Sequence, residues 1–96
     1  MSWKVAFSTV KSDGSRYFVA SNMYQDENKN VRMEHLVIAT VDDNTDEVII
    51  TYYDIQIGNI KSARHCHIDD LVDTIESMDI PGIDSIMSDI KYNIWR

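Results

Sequence analysis

Through residue 57 the chain alternates apolar and polar side chains, and from Ile68 onward its apolar residues recur every three or four positions. The first spacing is that of strands, the second that of amphipathic helices. Trp3, Val5, Phe7 and Thr9 share one face of a first strand, with Lys4, Ala6, Ser8 and Val10 on the other. Ser12-Asp13-Gly14-Ser15 is a hairpin turn sequence, because Gly takes the positive φ such turns need. It leads to an antiparallel partner over residues 16–24, where Phe18 and Ala20 oppose Tyr17, Val19 and Met23. Residues 25–30 contain no apolar side chain and form an exposed loop. A third strand over 31–41 turns Met33, His35, Val37, Ala39 and Val41 inward. The polar residues 42–46 then turn the chain into a fourth strand over 47–57, rich in β-branched and aromatic residues on both faces.

Gly58-Asn59 breaks the alternation, and the connector 58–66 fits either a fifth strand or an irregular crossing. Ile68, Leu71, Val72, Ile75 and Met78 then mark one helical stripe, and Ile83, Ile86, Met87, Ile90 and Ile94 mark a second after Pro81-Gly82. Trp95 is expected to anchor the C-terminus. The expected fold is a single α+β domain. It has an antiparallel β-meander of four strands, or five if the connector joins it, over residues 3–57, and two amphipathic helices over 67–95 packed on one sheet face. Tyr17, Tyr53, Ile55 and Ile57 are candidates for the opposite face, where a homodimer or partner surface is conceivable.

Nine basic residues against sixteen acidic ones leave a net charge of -7. That balance argues against direct binding of nucleic acid by phosphate neutralisation and favours a basic partner. The charge is uneven. Residues 42–57 hold Asp42, Asp43, Asp46, Glu47 and Asp54 with no Lys or Arg, and residues 67–96 hold seven acids against Lys91 and Arg96. With a single cysteine, no run long enough to span a membrane and no signal-peptide pattern at the N-terminus, the expectation is a cytoplasmic protein.

His65-Cys66-His67 is the weak candidate metal cluster, since two histidines flanking one position of an extended segment point the same way. It has no CxxC or HExxH pairing and would need a distant donor such as His35; as a nucleophile, Cys66 would need His35 as its base. Asp42–Glu47 lacks the Gly and terminal Glu of a calcium loop. With Gly14, Gly58 and Gly82 its only glycines, the chain has no phosphate-cradling loop. No cofactor is expected.

The acidic segments carry the main functional expectation. If 69–79 is all helical, Asp69, Asp70, Asp73, Glu76 and Asp79 extend over roughly 15 Å, a charge density near that of one DNA strand. Most such runs are solvated faces, but this one exceeds what solubility needs. In size and charge the chain is similar to phage-encoded anti-defence proteins and toxin-immunity proteins. The expected function is therefore a non-enzymatic inhibitor or decoy of a basic nucleic-acid-handling protein, contacting it through Asp42, Asp43, Asp46, Glu47, Asp69, Asp70, Asp73 and Glu76. The alternatives are an apolar interaction or oligomerisation module, and a small metal protein or enzyme centred on His65, Cys66 and His67.

Overall fold

Five strands follow one another through the computed structural model, which describes residues 2–10 and 15–94. They are β1 (Ser2–Val10), β2 (Ser15–Gln25), β3 (Val31–Asp42), β4 (Glu47–Asp54) and β5 (Asn59–His67). Each pairs antiparallel with the next, so sheet order equals chain order. The connector is the fifth strand. The fourth strand stops at Asp54, short of the expected 57, because residues 55–58 turn: the Gln56 amide donates to the Asp54 carboxylate at 3.1 Å, and Gly58 adopts φ +71°. The expected turn at 12–15 falls mostly on residues outside those described, as do Trp95 and the Ile94 side chain.

Residues opposed across an antiparallel ladder share a face, so the register identifies the core. One row runs Val5, Ala20, Val37, Tyr52 and the next Phe7, Phe18, Ala39, Ile50. The β2, β3 and β4 members of both rows are fully buried or nearly so. Met33 departs from the expected inward set. A bulge between Asn22 and Met23 pairs Asn22 with His35 but Met23 with Met33, so Glu34 is the extra residue and Met33 moves to the opposite face.

The helical part consists of two short units. A 3-10 turn (Ile68–Asp70) runs into α1 (Leu71–Ser77), and a second 3-10 turn (Ile83–Ile86) runs into α2 (Met87–Ile94). Seven or eight residues are too few for a stable isolated helix. Burial holds them: Ile68, Leu71, Ile75, Met78, Ile80, Ile83, Ile86, Met87 and Ile90 all join the sheet's core cluster. Burying one such side chain completely is worth about 1.5–3 kcal/mol. Asp79 (φ +54°) ends the first unit in the left-handed conformation before Pro81 is reached. The first unit lies against β5, while the second unit lies against β1. No described helix is long and apolar enough to cross a membrane.

Candidate functional site

The two acidic segments, remote in sequence, meet at one end of the sheet. The Asp46 carbonyl accepts a hydrogen bond from the Ile68 amide at 2.8 Å, and Glu47 lies opposite His67 in the β4–β5 ladder. Within this end the carboxylates differ. Asp42 builds the turn, accepting from the Asn44 amide at 2.9 Å. Asp43 is 2.7 Å from the Arg16 guanidinium, and Glu47 is 2.6 Å from His65 Nε2. Asp69 lies 3.4 Å from the His67 ring, whose Nδ1 accepts from the Asp69 amide and so caps the 3-10 turn. Asp46, Asp70, Asp73 and Glu76 are exposed, and their carboxylates have no partner among the described residues. The row is not one straight helix: Asp69 and Asp70 sit on the 3-10 turn, Asp73 and Glu76 on α1, and Asp79 beyond its end.

The His65-Cys66-His67 side chains separate across the sheet. Cys66 pairs with Val48 on the covered face and packs on the core, whereas His65 pairs with Ile49 on the open one. His35 lies on the covered face, where its β4 partner is Asp54, six residues from that of Cys66. It is therefore not beside the thiol. Among the described residues no group of three or more His, Cys, Asp or Glu is placed to hold a metal.

At the other end of the covered face lies a polar group that pattern reading passed over. Trp3, Asn22 and His35 form one cross-strand row. The Trp3 and His35 rings stack at 6.3 Å and 18°, and His35 Nδ1 lies 2.8 Å from the Tyr52 hydroxyl. Burial, assisted by the negative charges of Asp54 and Glu34, raises the Tyr52 pKa above its ordinary value. Asn22 is 1% exposed, yet neither polar atom of its amide finds a partner. The signal was present: in Phe18-x-Ala20-x-Asn22 a polar residue takes an inward position on an apolar stripe. No family model, curated protein or solved structure matches the chain.

Proposed function

We propose that this chain is a small non-enzymatic binding protein whose acidic end occupies the basic surface of a nucleic-acid-handling protein, as an inhibitor or decoy of the anti-defence or immunity kind. One observation carries the reading: the bond between Ile68 and Asp46 joins the acidic turn to the start of the segment that carries Asp70, Asp73 and Glu76, whose carboxylates, like that of Asp46, are exposed and unpaired among the described residues. Charges of one sign gathered on a small surface steer an oppositely charged partner and compete with a polyanion for it.

The test is capture of basic nucleic-acid-binding proteins on the immobilised chain. Capture is expected to be reversed by duplex DNA and by added salt, and to be lost when Asp46, Asp70, Asp73 and Glu76 are all changed to Lys in a variant with unaltered circular dichroism. Capture indifferent to salt and to these four changes would overturn the reading.

A second reading, self-association, is favoured by the helix-free sheet face. Val19, Ile38, Thr51 and Ala63 form one row there and Ser21, Leu36, Tyr53 and Ile60 the next. Ile49 and Ile60 are each 57% exposed, and Tyr17 also belongs to this face, whereas Ile55 and Ile57 lie in the turn after β4. Apolar surface of this kind commonly marks an interface. A strict monomer by light scattering across a concentration series would exclude this reading.

A further inference from the structure

Asn22 sits on the helix-covered face between Trp3 of β1 and His35 of β3. Its amide is almost fully buried and makes no hydrogen bond to the protein. Native interiors rarely leave both ends of a buried amide unmatched, because neither water nor protein then offsets its desolvation. A Leu would extend the Phe18-Ala20 stripe without that cost. A polar residue kept here points to a role at the surface it faces.

Asn22 is one of the residues lining a cleft of about 510 Å³ between β1 and the second helical unit. Such a volume lies within the range of roughly 300–1,000 Å³ common for small-molecule sites. Trp3 and Ile86 supply apolar walls, and Ser85 and Asp89 add polar groups from the helical side. The indole is held in place: its Nε1 donates to the Pro81 carbonyl at 2.9 Å, and His35, itself tied to Tyr52, stacks on it. Gly82 leaves room beside the ring, since a Cβ there would come within 3.2 Å of Trp3 Nε1. A wall fixed in advance loses little freedom when a ligand arrives.

The lining identifies the ligand class. An Asn side chain presents an acceptor next to two donors, and its full complement is an edge that also carries donor and acceptor side by side. A flat indole favours a planar ring. Among the described residues lining the cleft, Asp89 is the one that is charged and none is basic, so a phosphate or carboxylate on the ligand would meet repulsion from it. We infer that the cleft binds a planar, uncharged or cationic heterocycle through Asn22, of the class that includes free nucleobases and nicotinamide. The site lies away from the acidic turn: six residues of β3 separate His35 from Asp42. It does not depend on the proposed basic partner.

Amide-correlation NMR of the full chain, titrated with adenine, cytosine and nicotinamide, tests the site. The anionic counterparts are adenosine monophosphate, cytidine monophosphate and nicotinic acid. The expected result is a saturable shift of the Asn22 side-chain amide and the Trp3 Nε1–H with at least one neutral probe, with its anionic counterpart weaker by about tenfold or more. Asn22→Leu is expected to abolish the response while raising the melting temperature. Ser85→Trp fills the cleft from an exposed position, so it is expected to abolish the response in a folded protein even if the buried change misfolds. No saturable shift at either reporter with any of the three neutral probes would overturn the inference. Binding retained in the Ser85→Trp variant would also overturn it.

Discussion

The Tyr52 hydroxyl and His35 Nδ1 face each other at 2.8 Å inside the covered face of the sheet, one carried by β4 and the other by β3. Trp3 stacks on the same imidazole from β1. Three strands therefore meet at one buried polar contact. Replacing Tyr52 with Phe keeps the ring but strips the imidazole of its partner, and leaving such a group unmatched costs about 1–3 kcal/mol. The urea midpoint is expected to fall with the slope of the transition unchanged. An unchanged midpoint would mean that the contact contributes nothing net.

The same hydroxyl makes stability depend on alkaline pH. Burial first, then the charges of Asp54 and Glu34, raises the Tyr52 pKa above 10.0. The folded chain therefore keeps this proton to a higher pH than the unfolded chain does. The group's contribution is complete below the unfolded value and declines as pH rises through it towards the raised folded value. Urea titrations on either side of pH 10 should show a loss in the wild type that is smaller in Tyr52→Phe. Parallel losses in the two proteins would refute the assignment.

Gly82 tests the approach of β1 to the linker between the helical units. Its φ is +71°, and an added Cβ would lie 3.2 Å from Trp3 Nε1. Ala at a left-handed position costs roughly 1–2 kcal/mol from the backbone alone, and the indole would also have to shift away from the Pro81 carbonyl. Gly82→Ala is expected to lower the melting temperature by several degrees. Gly58 is also at φ +71° but has nothing within 4 Å of a built Cβ, so Gly58→Ala should show the backbone cost without the steric one.

The sheet was legible because period-two alternation in Trp3–Phe7, Phe18–Ala20 and Val37–Val41 corresponds directly to the buried rows. The bulge at Asn22/Met23 was not, since alternation continues unbroken through Met33 and His35 in the sequence and only pairing with β2 inserts the extra residue. β5 escaped assignment for another reason. It is an edge strand whose residues are mostly exposed, so it lacks the apolar alternation that identifies a strand. The acidic residues were visible individually, but their meeting depends on the long-range pairing of β4 with β5 and the bond between Ile68 and Asp46 that continues it. Asn22 could have been found only by treating a polar residue at an inward position as a signal in itself.

Asp26 organises the loop between β2 and β3. One carboxylate oxygen accepts the Asn28 and Asn30 amides, each at 2.9 Å, and the other lies 3.1 Å from the Arg32 guanidinium. The Asn30 bond first, then Arg32, holds its pKa below 3.8. The folded state thus releases this proton more readily, and the contribution is present above 3.8 and lost as pH falls through the lowered value. Asp26→Ala is expected to speed hydrogen exchange at the Asn28 and Asn30 amides several-fold at neutral pH, leaving the core amides of Val37 and Ala39 unchanged. Equal rates in the two proteins would show that the backbone bonds between Asp26 and residues 29 and 30 suffice.

Asp46 holds a strained backbone position in the acidic turn. It has φ +58°, a left-handed conformation that Gly takes without strain and Asp with some. It also stands in an acidic turn with Asp42, Asp43 and Glu47. Asp46→Gly relieves both effects and is expected to stabilise the fold by less than the roughly 1–2 kcal/mol that a left-handed backbone costs an ordinary residue, because Asp tolerates the region and Gly loses more freedom on folding. Asp46→Asn removes the charge while retaining a residue tolerant of the left-handed region, so it isolates the electrostatic part. If the acidic end engages a basic partner, both variants should bind it more weakly, and the more stable Gly variant should gain nothing from its stability. A Gly variant that is more stable and also binds as tightly as the wild type would show that the turn charge is not used in recognition.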